Sequence, residues 1–343
     1  MEIYEAVKKR WDSIAKPIDG LGDFEDIICK IGSIRKTVRP SIKKRALVVM
    51  CADNGIVKEG VSQCGSEVTY RVAFALGAGT STANVMAAEA GVKIIPVDIG
   101  IDHGGEIPGV RNMKIRRGTR DFLEERALTE EEVGLAIDRG KTIVRELAEE
   151  GFDIIATGEM GIGNTTTATA LLCLITGADP GALTGRGAGL SDEKLKTKIS
   201  VVRRAVELYS ADTPDVTKDQ VFKYLCDIGG LDIAAMCGMY IGGMERGIPV
   251  VIDGLISAVA ALLADMICPG CRKVMIPSHS GRETGLRFVL DKLGLKPFLN
   301  GNMALGEGTG AIMMFKLLDS AMYLYDHGAA FEDNGIKEYE RYK

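Results

Sequence analysis

The sequence predicts an α/β protein: an open, parallel, Rossmann-like sheet flanked by helices, plus a small helical domain formed by the two termini. Short β-branched runs alternate with longer stretches of helical period, which is the pattern of a parallel sheet covered by helices. Polar and glycine-rich segments follow the ends of those runs, where open parallel sheets bind ligands. The two chain ends carry helical periodicity with little strand signal. Residues 1–36 and 310–343 are therefore read as the helical domain and 37–309 as the α/β catalytic domain.

In chain order, the first strand is Ala46–Cys51, followed by the polar turn Ala52–Gly55. Val92–Val97 is the second, ending in Asp98–Gly100, and Asp153–Ala156 the third, ending in the glycine-rich Gly158–Thr166. Ile248–Ile252 and Lys273–Ile276 complete the set, with Asp253–Gly254 and Ser278–Gly281 at their ends. Thr129–Glu150, Ser191–Tyr209, Leu231–Arg246 and Leu255–Ile267 have helical period. Ser191 is a suitable N-cap, because Asp192 and Glu193 then fall in the positively polarised first turn.

Composition narrows the function. A chain of 343 residues with 46% hydrophobic and 26% charged residues is not disordered, collagen-like or disulfide-stapled. Lys+Arg total 42 against 47 Asp+Glu, so no broad basic surface exists to attract nucleic acid or an anionic membrane. The most apolar helical run, Leu255–Ile267, is too short for a bilayer and carries Asp265. The first residues lack the order of a secretory signal. Eight cysteines scattered through apolar segments read as reduced thiols of a cytoplasmic protein, and Cys268–Cys271, the one Cys-x-x-Cys, has no second ligand pair. Three histidines (His103, His279, His327) leave little room for a Ser-His-Asp or multi-His metal site.

Three segments carry chemistry. Gly158–Thr166 runs from a strand into an apolar helix; it suits an anion at backbone amides, or is simply a tight turn with Thr caps. It lacks the lysine of a P-loop and the spacing of a dinucleotide fingerprint, which argues against an NAD-type oxidoreductase. Thr184–Gly189 precedes a helix carrying Lys198, a phosphate ligand if it turns toward the glycine loops and a solvated lysine otherwise. Leu305–Gly310 frames Glu307 with glycines. That carboxylate is either a general base in an apolar setting or an acid at a helix N-terminus.

These segments, with Lys16–Pro17, Leu21–Gly22, Glu59–Val61, Val97–Gly100, Gly229–Gly230 and Pro277–His279, resemble the nicotinate-nucleotide–dimethylbenzimidazole phosphoribosyltransferase family over almost the whole length. The resemblance implies a homodimer that moves phosphoribose from nicotinate mononucleotide to an aromatic base, releasing nicotinate, in assembly of the cobamide (vitamin B12) nucleotide loop. It implies Glu307 as general base and Glu159 as a second acid beside the ribose. Gly161, Gly187 and Lys198 match phosphate-binding positions, and Met160, Asn164, Thr165, Ser278, His279 and Leu305 fall in the matching substrate-binding segments. No metal or other cofactor is implied.

The acceptor pocket departs from the family pattern. Cys64 and Val72 stand where benzimidazole-using relatives commonly carry Ser and Gln around a Val-Thr pair, here Val68–Thr69. Losing those hydrogen-bond partners suits a phenol or p-cresol acceptor, which some relatives use. Some of those relatives are heterodimers of paralogues in which one chain keeps the glutamate; with Glu307 retained, this chain would be the active member of such a pair. Ala304, Gly281 and Asn54 stand where relatives often have Arg, Ser and His. A nucleotide-binding partner subunit is the non-enzymatic alternative; retention of Glu159 and Glu307 opposes it, since a binding protein has no use for a proton acceptor beside the sugar.

Overall fold

The computed structural model describes residues 2–211, 216–297 and 299–341. Its central sheet has six strands: β1 (Arg45–Ala52), β2 (Lys93–Gly100), β3 (Arg111–Asn112), β4 (Ile154–Met160), β5 (Val250–Ile252) and β6 (Met275–Pro277). All pairs are parallel and the order is β3-β2-β1-β4-β5-β6. Every apolar run expected to be a strand enters this sheet, and the four helices expected from periodicity form with ends shifted by no more than about two residues.

Strand β1 shows why the sequence reads as it does. All eight of its residues are buried, because helices cover both faces of the sheet. Ala46, Val48 and Met50 enter a core shared with the helices Glu130–Glu149, Asn164–Thr176, Leu231–Arg246 and Leu255–Ile267. Leu47, Val49 and Cys51 point the other way, into a core built with Glu2–Asp12, Asp23–Arg35, Glu67–Gly77, Thr82–Ala90 and Thr309–His327. The terminal helices thus bury their apolar faces in a core that includes the central strand. Trp11 packs on Tyr325 with ring centroids 4.9 Å apart, and the Tyr325 hydroxyl donates to the Val38 carbonyl at 2.7 Å.

Two features escaped the sequence pattern. β3 is two residues long, and a separate parallel pair joins β7 (His279–Gly281) to β8 (Leu299–Met303). Neither has a run of apolar β-branched residues, and β8 is largely exposed. On the first face, the helices Glu130–Glu149 and Leu231–Arg246 cross backbone to backbone. A Cβ on Gly140 would lie 1.9 Å from the Ala235 carbonyl oxygen, and one on Gly238 would lie 2.0 Å from that of Ile137.

The topology fixes the place of the site. From β1 the chain moves outward to β2 and later returns to the other side at β4, so the crevice beyond the carboxyl ends of β1 and β4 is the topological switch point. Met50 of β1 pairs there with Glu159 of β4. No helix among the described residues is long and apolar enough to cross a membrane.

Candidate active site

A cavity of about 330 Å³ opens at this switch point, within the usual range for a small-molecule site. Glu159 lines it from the carboxyl end of β4. Its Oε2 accepts from the Asn164 amide at 2.5 Å, and the same amide nitrogen donates to Asp232 Oδ2 at 2.9 Å. Burial pushes the Glu159 carboxyl up to about 8; the charges of Asp232, Asp253 and Glu307 push the same way, against the Asn164 hydrogen bond. Asp232 is raised to about 6, again mainly by burial, and its Oδ1 has no hydrogen-bond partner. Gly161 lets the loop turn here: a Cβ on it would lie 2.4 Å from the Ala52 carbonyl oxygen.

Glu307 reaches the same cavity from the segment before the helix Thr309–His327. Gly306, Glu307 and Gly308 all have positive φ, at 91°, 56° and 82°. Glycine tolerates this region freely; a glutamate there is strained, and such strain is held only where surrounding contacts fix it. Those contacts are visible. A Cβ on Gly158 would lie 3.0 Å from the Glu307 carbonyl, so the two backbones touch, and Glu307 Oε2 accepts from the Ala83 backbone N–H at 3.2 Å. The turn leaves Glu307 beside Glu159: a Cβ on Gly306 would lie 2.9 Å from Glu159 Oε1.

A cationic corner occupies another part of the cavity. Lys198, 1% exposed, donates from Nζ to Thr165 Oγ1 at 2.7 Å, and burial lowers its ammonium to about 8. Gly187, at φ 52°, closes over the pair; a Cβ on it would lie 3.1 Å from Thr165 Oγ1 and 3.4 Å from Lys198 Nζ. The solvated-lysine reading is therefore excluded. The glycine-rich segment is also more than a turn with Thr caps, because Thr165 turns its hydroxyl to Lys198.

Opposite, His279 lines the cavity and Ser278 stands behind it, fully buried, within 2.9 Å of His279 Nδ1. Asp253 accepts from the backbone N–H groups of Gly310 and Ala311 at 2.9 and 3.2 Å, tying the end of β5 to the start of the last long helix. Burial raises its carboxyl, against the pull of the neighbouring His279.

Of the residues expected at the site, Glu159, Met160, Gly161, Asn164, Thr165, Gly187, Lys198, His279, Leu305, Glu307 and Cys64 line one cavity. Ser278 and Val72 do not. Val72 sits on the helix Glu67–Gly77 and packs against the core beneath the terminal helices. Sequence reasoning marked Asp253 only as part of a strand-end segment and gave it no role at the site; it passed over Asp232, which follows Gly229–Gly230, and Glu283, which no motif flags. Among the described residues no group of three or more His, Cys, Asp and Glu could hold a metal ion.

A family model described as a phosphoribosyltransferase matches residues 1–336. A nicotinate-nucleotide–dimethylbenzimidazole phosphoribosyltransferase of Acetivibrio thermocellus is 42% identical over 339 residues, covering 99% of this chain and 95% of its own length. One of the same description from Clostridium acetobutylicum is 39% identical, covering 100% of this chain and 96% of its own. The crystal structure of CobT from Thermus thermophilus superposes with a TM-score of 0.91 at 34% identity, covering 99% of this chain and 100% of that one. On that likeness, carried through the whole chain and through the fold that builds the cavity, this protein belongs to the nicotinate-nucleotide–dimethylbenzimidazole phosphoribosyltransferase family.

Proposed function

We propose that the chain transfers phosphoribose from nicotinate mononucleotide to 5,6-dimethylbenzimidazole or a similar base, giving an α-ribotide and nicotinate for cobamide assembly. The observation that carries this is the convergence of two glutamates and a buried lysine corner on one cavity. The lysine corner takes the phosphate, through Lys198, Thr165 and the Gly187 loop. That leaves C1′ of the ribose near the glutamates, with the acceptor over Met160, Leu305 and Cys64.

In the reaction the bond from C1′ to the nicotinate nitrogen breaks and its electron pair returns to the pyridine ring, so the leaving group needs no acid. The acceptor nitrogen attacks C1′ from the opposite face, which turns a β-nucleotide into an α-product. Glu307 takes the acceptor's N–H proton as the new bond forms. Glu159, pushed up to about 8 by burial, favours its protonated form at neutral pH. A cationic pyridinium nucleotide favours its ionised form, and the carboxylate then faces the positive charge that spreads over C1′ and the ring oxygen.

The assembly reading is a homodimer. Val85, Met313 and Leu317 are exposed on two helices beside the cavity, an apolar face suited to a second copy. A helical unit (1–36 with 310–343) beside an α/β body (37–309) is the proposed division; the Trp11–Tyr325 contact between the two termini supports it, and their apolar faces also share a core with β1. A cytoplasmic setting is supported by eight free cysteines.

The test is release of nicotinate from nicotinate mononucleotide by the purified chain, with dimethylbenzimidazole in one reaction and p-cresol in another. Release with the benzimidazole is the expected result. No release with either acceptor overturns the proposal.

A further inference from the structure

Glu283 has no task in the mechanism above, yet it stands in the lysine corner. It precedes the helix Thr284–Leu293, and its side chain turns to the Thr184–Gly189 loop. Oε1 accepts the Gly187 backbone N–H at 3.1 Å, while Oε2 is buried with no hydrogen-bond partner. A Cβ on Gly185 would lie 1.5 Å from that oxygen, so the carboxylate fills space a side chain would otherwise take. Its negative charge acts on Lys198, whose ammonium has no ion pair within 4.0 Å among the described residues. The corner thus already contains an anion, and it is one of this chain's own.

We propose that Glu283 is a positioning residue for the donor's phosphate. It holds the Gly185–Gly187 loop over Lys198 until the phosphate displaces it and takes over the Gly187 N–H and the Lys198 charge. A carboxylate and a phosphate cannot share so small a desolvated space without strong repulsion. Glu283 is only half-buried, so water lies within reach of the displaced group. Exchange of one anion for another keeps Lys198 compensated in both states, and it sets donor affinity as a difference between two anions. This rests on the reading of Lys198, Thr165 and Gly187 as the phosphate subsite.

The test uses inorganic phosphate as a competitive inhibitor against nicotinate mononucleotide, at one fixed pH, in wild type, Glu283→Gln, Glu283→Ala and Lys198→Met. Glutamine keeps an oxygen for the Gly187 N–H and removes only the charge. Glu283→Gln is expected to tighten the inhibition constant for phosphate and lower the donor KM on the order of tenfold, with kcat little changed. Glu283→Ala, which also frees the loop, tightens phosphate less. Lys198→Met weakens phosphate and raises the donor KM. If Lys198→Met weakens phosphate but Glu283→Gln leaves it unchanged or weaker, Glu283 is a structural cap and the proposal is overturned while the phosphate subsite stands. If Lys198→Met leaves phosphate inhibition unchanged, the subsite reading fails and the proposal falls with it.

Discussion

The carboxylate of Glu307 accepts the backbone N–H of Ala83 at 3.2 Å. That bond ties the left-handed turn Gly306–Gly308 to the first turn of the helix Thr82–Ala90, whose N-terminus already has a capping box between Ser81 and Asn84. Orientation of the acid therefore comes from elements far apart in sequence: β4 beneath it through Gly158, and this short helix beside it.

Replacing Glu307 by Gln keeps the shape and the acceptor for Ala83 but removes the base. The expected outcome is a loss of turnover of about a hundredfold or more with donor binding retained. Turnover at saturating acceptor and calorimetric binding of nicotinate mononucleotide check the two halves separately. Near-wild-type turnover would remove Glu307 from the proton transfer.

Glu159 makes a prediction in pH. Its carboxyl titrates near 8 in the folded chain against an ordinary value of 4.5. For an acid raised in this way, stability is fully present below about 4.5 and is lost progressively as pH rises to about 8, because over that range the unfolded chain ionises the group while the folded chain holds it protonated. Glu159→Gln carries no charge at any pH, so its unfolding free energy is expected to fall less than wild type's between pH 5 and 8. In the wild type kcat/KM rises as pH climbs toward 8 and the carboxylate becomes available; the variant is slower and lacks that limb. Parallel pH profiles and urea titrations of the two proteins measure both effects.

Much of the fold was legible because the sheet is buried on both faces. Runs such as Ala46–Cys51 are apolar at every position, and each ends in the polar residues that build the site. Residue chemistry alone marked Gly158–Thr166, Thr184–Gly189 and Glu307 as unusual, and family resemblance supplied their roles. What sequence could not supply was convergence through backbone contact. Nothing in the spacing brings Gly158 against Glu307, or Glu283 into the glycine loop 96 positions before it. Asp232 was hidden for a related reason. It reads as an acid in a helix's first turn, and only the fold places it across Asn164 from Glu159.

The helix crossing at Gly238 gives a stability prediction. A Cβ there meets the Ile137 carbonyl at 2.0 Å, and the obstacle is backbone, so it cannot be relieved by a rotamer change. Gly238→Ala gains helix propensity of about 1 kcal/mol in isolation. Forcing the helices apart costs more, so a net destabilisation of about 1–3 kcal/mol is expected. Gly134→Ala is the control: it lies in the partner helix with open space around its Cβ, and is expected to stabilise. Chemical denaturation of both variants decides whether close approach or backbone freedom explains these glycines.

Acceptor choice was expected from sequence to depend on Cys64 and Val72, and the structure separates them. Cys64 lines the cavity, with Sγ 3.7 Å from Ser62 Oγ. Val72 packs instead against the core beneath the terminal helices, on a helix whose Val68 takes the cavity-lining position. Val72→Gln is therefore expected to leave the ratio of benzimidazole to p-cresol turnover unchanged, while placing an amide against apolar neighbours and lowering stability by about 1 kcal/mol. Cys64→Ser introduces a stronger hydrogen-bonding group at the cavity wall, and is expected to raise the preference for the acceptor with a second ring nitrogen. Nicotinate release with each acceptor, measured for both variants, tests the assignment. A shift confined to Val72→Gln would mean that the helix Glu67–Gly77 moves on acceptor binding and carries Val72 to the site.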